Sequence, residues 1–165
     1  MKQVLSFIFA IIWIAATIWF ISMRISFSQN CVGYLSQAAD ANTVELALDR
    51  LGRALDYVEQ KGWTHGYTSI LWKTEDENIG FWYDNLKASQ KELTDALCSS
   101  QLEQTNVLMK LRETLTENTD DGTCITYPSG LWKYPNNASY AVIAWIVNIL
   151  GLIAVCLFII KLNEY

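Results

Sequence analysis

Two stretches of this chain lack any polar rhythm, and they frame everything between them. From Val4 to Met23 the sequence runs VLSFIFAIIWIAATIWFISM, and from Ala141 to Ile160 it runs AVIAWIVNILGLIAVCLFII, each twenty residues without a charge. At ~1.5 Å per residue a helix of that length covers ~30 Å, the thickness of a bilayer's hydrocarbon core. A soluble helix that long carries a polar stripe, and neither block does. The pattern predicts transmembrane helices at residues 4–23 and 141–160. A cleaved signal peptide is the rival for the first block. Its run exceeds the usual ~7–15 apolar residues, and no Ala-x-Ala pattern precedes Arg24.

Between the blocks the pattern changes to a helical period. After Arg24 it stays helix-compatible through Asp40, as a stalk. Asn42 and Thr43 then precede Val44, Leu48, Leu51, Leu55 and Val58, whose steps of four, three, four and three form an a/d seam, with Glu45, Asp49, Arg50, Arg53, Asp56 and Glu59 on the other face. Gly62 ends this helix. A third helix is predicted from Thr74, where Thr-Glu-Asp-Glu fits a capping box, with Ile79, Trp82, Leu86, Ser89, Leu93 and Ala96 at helical spacing. A fourth is predicted from Leu102 to about Asn118, with Leu108, Leu111 and Leu115 inward and Asp120-Asp121-Gly122 as its stop. No strand-length alternation is evident. The expected architecture is all-α: two transmembrane helices flanking an antiparallel, up-down four-helix bundle.

Two irregular segments, 62–74 and 124–140, share a near-repeat, Ser69-Ile70-Leu71-Trp72-Lys73 and Ser129-Gly130-Leu131-Trp132-Lys133. On an up-down path both lie at the membrane-proximal end. Trp and Tyr favour the headgroup level, where the ring is buried and its polar atom stays wet. The expectation is an interfacial aromatic collar of Trp63, Tyr67, Trp72, Tyr127, Trp132, Tyr134 and Tyr140, with Lys73 and Lys133 reaching acidic headgroups. The alternative is that these rings plug the lower end of the core. Phe81, Trp82 and Tyr83 are consecutive, so their side chains leave a helix ~100° apart and cannot share one core. Trp82 keeps the seam, which leaves Phe81 and Tyr83 as the candidate partner surface.

Cys31, Cys98 and Cys124 lie between the spans and Cys156 within the second. Cys31 and Cys124 are both expected near the membrane, so they form the candidate disulfide. Cys98, at the distal turn, is left as a free or intersubunit thiol, which allows a homodimer. Asn148, with Ala144 and Gly151 on the same face, is the candidate for intramembrane packing, against Ser6 or Thr17 or against a second copy.

Charge fixes topology and excludes several functions. Of the formal net charge of −5, the segment 24–140 carries −6, from ten Lys/Arg and sixteen Asp/Glu. Long segments translocate largely regardless of charge, so the flanking Lys2 and Lys161 place both termini in the cytoplasm. The expected organisation is cytoplasmic 1–3, span 4–23, periplasmic or extracellular 24–140, span 141–160 and cytoplasmic 161–165, in a bacterial-type inner membrane. An acidic chain with pI ≈ 4.8 offers no basic stripe for nucleic acid. His65 stands alone, the cysteines have no metal spacing, and Glu75-Asp76-Glu77 and Asp120-Asp121 lack the alternation of a calcium loop. Phosphate-loop and serine-nucleophile motifs are absent, so neither an enzyme nor a cofactor is expected.

The plan of short start, span, helical ectodomain and span resembles the sensory half of bacterial chemoreceptors and sensor kinases, without their output module. That resemblance is one of architecture only. The expected role is a non-enzymatic accessory or scaffold protein, partnered by the lipid bilayer and by another membrane or envelope protein. A ligand-sensing receptor-like protein and a small holin- or immunity-type envelope factor are the alternatives.

Overall fold

The computed structural model describes residues 2–120 and 122–162. Met1, Asp121 of the expected turn and residues 163–165 lie outside the described residues, as do the side chains of Lys2 and Lys161. The protein is mostly helical (74%). Its helices are α1 (Lys2–Phe27), α2 (Gly33–Ala39), α3 (Val44–Gln60), α4 (Ile79–Ala96), α5 (Gln101–Leu115) and α6 (Asn137–Leu162), with strands β1 (Thr116–Thr119) and β2 (Gly122–Ile125). The chain divides into two compact units. One contains the chain ends, up to Ile25 and from Pro135; the other is Ser26–Tyr134.

In the first unit the uncharged blocks form long helices that satisfy their own backbone. Two helices are long and apolar enough to span a membrane, one within Phe7–Ala39 and one within Asn137–Cys156. Their large side chains face outward; Phe7, Ile18, Trp145 and Leu152 are all exposed. The helices approach where Gly151 faces Trp13, so closely that a Cβ on Gly151 would lie 2.9 Å from the indole. Tyr140 packs its ring 5.5 Å from Trp19 and 5.9 Å from Phe20.

The second unit has its own core. Helix continues from α1 into α2 through a π segment, Ser28–Val32, in which the Gly33 N–H reaches back to the Ser28 carbonyl. The Asn30 side chain donates to the Ser26 carbonyl at 2.8 Å and so competes for backbone acceptors at this point. One inserted residue rotates the following face by ~100°. Phe27, Cys31, Leu35 and Ala38 recur at helical spacing and, with Ala39, are all buried. Against them lie Val44, Ala47, Leu51, Ala54, Leu55 and Val58 of α3. Leu48, on the predicted seam, is only partly buried, and the alanines one step round the helix are more fully enclosed.

Capping explains where the helices stop. The Thr43 hydroxyl accepts from the Leu46 N–H at 3.3 Å and starts α3. Its other end is a Schellman turn, with Trp63 N–H on the Val58 carbonyl and Gly62 N–H on that of Glu59, both at 3.0 Å. Arg112 of α5 donates to the Ala39 carbonyl at 3.1 Å and pairs with Asp40 at 2.9 Å, closing the end of α2. The Gln104 amide reaches the carbonyls of Ala96, Leu97 and Ser99 at 3.3–3.4 Å and ties the turn between α4 and α5.

Two predicted boundaries shift. Thr74 does not start the third helix: it precedes a 3-10 turn, Glu75–Glu77, and its hydroxyl donates to the Glu77 carboxylate at 3.0 Å rather than capping a backbone N–H. Helix α4 begins after Asn78, whose side-chain oxygen accepts from the Phe81 N–H at 3.1 Å. Helix α5 ends at Leu115, short of Asn118, because Thr116–Ile125 zips into an antiparallel hairpin with Thr116 opposite Ile125 and Glu117 opposite Cys124. Threonines in both strands, and Gly122 with φ = 124°, favour that hairpin over another helical turn.

Candidate functional site

The Ser26–Tyr134 unit gathers several of its aromatics around Trp63. Trp63, placed by the Schellman turn, is 4% exposed. Its ring lies 5.7 Å from Phe27 and 5.7 Å from Tyr57, and its indole N–H donates to the Tyr134 carbonyl at 3.1 Å. Tyr127 packs edge-on to Phe27 at 5.2 Å. Burial pushes the Tyr57 phenol above its ordinary value, although a hydrogen bond with Ser26 opposes the shift.

The expected collar therefore divides. Trp63 is a core residue, and Tyr134 and Trp132 pack partly buried against the same core. Tyr67 pairs with Asn78 across an isolated antiparallel bridge and stacks under the Lys73 ammonium at 5.2 Å. Tyr140 belongs to the other unit, with Trp19 and Phe20. Trp72 alone stands almost wholly in the open, at 77% exposure, with Ile70 and Leu71 exposed beside it. In the second copy of the near-repeat Leu131 is fully buried. Lys133 folds back over its neighbour Trp132 at 4.7 Å.

The consecutive rings of α4 also part company. Trp82 is buried and donates its indole N–H to the Thr126 carbonyl at 3.1 Å, tying α4 to the segment after the hairpin. Tyr83 is not a free surface: its hydroxyl donates to Glu59 at 2.8 Å, and Lys87 pairs with the same carboxylate at 3.3 Å. The Tyr83 hydrogen bond, then that of Lys87, holds the Glu59 carboxyl below its ordinary range and in return raises the Tyr83 phenol. Phe81 is 64% exposed and borders a groove of about 940 Å³. The groove's lining includes the apolar Trp82, Tyr127 and Pro128 and the acidic Glu75, Asp76 and Glu117. Sequence reading missed this groove because part of its lining, Glu117 and residues 126–129, comes from the unpredicted hairpin and the chain beyond it.

The Cys31–Cys124 bridge is not formed. Cys31 is enclosed in the core, whereas Cys124 is exposed on β2, and both are free thiols. The expectation placed Cys124 on an irregular return path beside the stalk; the hairpin instead presents it at the surface. Cys98, in the turn after α4, and Cys156, in α6, are exposed free thiols. Of the partners expected for Asn148, the Ser6 side chain lies outside the described residues. The Asn148 side chain donates to the Ala144 carbonyl one turn back at 2.7 Å, and Thr17 likewise bonds its own helix at the Trp13 carbonyl. Gly151 is the residue on that face that meets the neighbouring helix. His65 is exposed, 3.1 Å from the Thr64 hydroxyl. Among the described residues no group of three His, Cys, Asp or Glu side chains is placed to hold a metal ion.

Comparison with protein-family models, with curated proteins and with solved structures gives no match to this chain.

Proposed function

We propose that this chain is an integral membrane accessory protein that crosses the bilayer twice and presents residues 24–140 outside the cytoplasm as a helical bundle docking on a larger membrane or envelope complex. One observation carries the reading: two long helices expose large apolar side chains over most of their surface, which is costly in water and favourable in lipid. The resulting anchor confines the Ser26–Tyr134 unit to a membrane surface, where a docking partner is met at high effective concentration. Phe81, exposed beside the groove, supplies an apolar anchor of the kind that dominates protein interfaces.

Crosslinking in native membranes, followed by mass spectrometry with and without reductant, tests this reading. A reproducible crosslink between the α4 face around Phe81 and a second membrane protein supports it. Release of the chain from membranes by alkaline carbonate refutes it. So does digestion of residues 24–140 by a protease confined to the cytoplasmic side.

The groove supports a second reading, in which the protein resembles a receptor ectodomain and takes a small molecule. A volume of about 940 Å³ is within the range of ligand pockets. A ligand-dependent rise in melting temperature that is lost on Phe81→Ser distinguishes this reading from the first.

A further inference from the structure

Outside the two apolar helices, Ile70-Leu71-Trp72 is a run of consecutive exposed hydrophobic side chains, at 54%, 78% and 77% exposure. It is held out rather than left dangling. Tyr67 and Asn78 pair across the base of the loop; Thr68 N–H donates to the Glu77 carbonyl at 3.1 Å and Ile79 N–H to that of Gly66 at 2.9 Å. Just before that base, Trp63 is locked against Phe27 and the Tyr134 carbonyl, near the first residue and at the last residue of the unit. The base of the loop also lies beside Tyr134, the unit's last residue, since a Cβ on Gly66 would collide with the Tyr134 ring.

We propose that Ile70, Leu71 and Trp72 insert into the headgroup layer of the bilayer that holds α1 and α6, as a third and shallow membrane contact. The proposal rests on the membrane-anchored reading above. A bilayer interface suits this run better than water, because the indole buries its ring while its N–H stays hydrated. Lys73, whose ammonium lies 5.2 Å over the Tyr67 ring, places a positive charge for lipid phosphates at the edge of the inserted run. The second copy of the near-repeat offers no such surface, since Leu131 faces the core.

The test uses the full chain in nanodiscs of phosphatidylcholine and phosphatidylglycerol, labelled with an environment-sensitive dye at one reactive thiol. The three labelled chains carry Leu71→Cys, native Cys98 or native Cys156, with the other exposed cysteines changed to Ser. Cys31, enclosed in the core, is left in place. Leu71 is a surface residue, so its replacement leaves the fold intact. The dye at position 71 is expected to be quenched several-fold more by lipid bearing a shallow spin label, and several-fold less by iodide, than the dye at Cys98. Adding Trp72→Ser is expected to reduce that difference. Equal iodide access at positions 71 and 98, with Cys156 still quenched by lipid, overturns the loop insertion alone. Absence of lipid quenching at Cys156 overturns the membrane reading and the insertion with it.

Discussion

Trp63→Ala is the substitution that bears most directly on how the Ser26–Tyr134 unit is closed. The side chain is 4% exposed, touches Phe27 and Tyr57, and donates a 3.1 Å bond to the Tyr134 carbonyl. An aromatic side chain buries on the order of 200 Å², so its transfer contributes about 5 kcal/mol at ~25 cal/mol per Å². Truncations of buried Phe or Trp cost about 3–5 kcal/mol, in keeping with that figure. Loss of the indole donor leaves the Tyr134 carbonyl without that bond, for about 1 kcal/mol more. A single domain of this size holds only about 5–15 kcal/mol, so the variant sits near the edge of folding. Pulse proteolysis of the full chain in detergent across a urea series reads the unit without interference from the apolar helices. Trp63→Ala is expected to lose about 4 kcal/mol. Trp63→Phe, which keeps a ring against Phe27 and Tyr57 but loses the donor, is expected to lose about 1–2 kcal/mol. Trp72→Ala, with its side chain already in the open, is expected to change stability by less than about 0.5 kcal/mol. Equal losses for Trp63→Ala and Trp72→Ala would refute the division of the aromatics into core and surface groups.

Three further outcomes follow from the geometry. Without reductant, a water-soluble maleimide is expected to modify Cys98 and Cys124 and to spare Cys31; a requirement for reductant at Cys124 would restore the disulfide. Glu59 is held below its ordinary value of 4.5, so the stability it contributes is complete above that pH and is lost as pH falls through the lower folded value. Tyr83→Phe removes the first cause of that shift, and acid unfolding curves are expected to show a shallower loss in this window than the parent chain; identical slopes would remove Glu59 from the account. In the first unit, Trp13→Cys with Gly151→Cys is expected to form a disulfide, because a Cβ on Gly151 would lie 3.3 Å from the Trp13 Cγ, the atom the new sulfur would replace. After trypsin cuts the middle of the chain, peptides from α1 and α6 should stay joined until reductant is added, and their separation without it would deny the contact.

What was legible in the sequence was whatever one periodicity decides alone. Twenty-residue apolar blocks have no other helical solution, and both are helices in the structure. The 3.5-residue spacing of α3 marked four of its buried positions, Val44, Leu51, Leu55 and Val58, and Thr43 marked its start, since both signals lie within a few residues of what they specify. The π segment was not legible, because it adds a residue inside a helix whose pattern looks continuous on either side. The hairpin was missed because neither four-residue strand carries an apolar alternation; pairing between strands selects it, and pairing is a long-range property. The error in the cysteines followed from that miss, as an irregular connector and a hairpin send Cys124 in different directions.

The near-repeat shows most directly why local pattern underdetermines a site. Ser69-Ile70-Leu71-Trp72-Lys73 and Ser129-Gly130-Leu131-Trp132-Lys133 differ only at their second position. Gly130 takes φ = 75°, a left-handed conformation that a β-branched residue such as Ile70 scarcely adopts. From that conformation the chain enters a 3-10 turn, with Lys133 N–H on the Gly130 carbonyl at 3.0 Å, and Leu131 is turned into the core. Ile70 denies its copy the same turn, so Leu71 and Trp72 remain outside. A glycine at position 70 is therefore a necessary condition for folding the first copy inward, though not a sufficient one, because Pro128 also stiffens the approach to the second turn. Ile70→Gly should leave the core intact while loosening the presentation of Trp72, and the lipid quenching of a dye at position 71 would fall with it. Unchanged quenching would mean that the clamp between Tyr67 and Asn78, rather than residue 70, sets the direction of the loop.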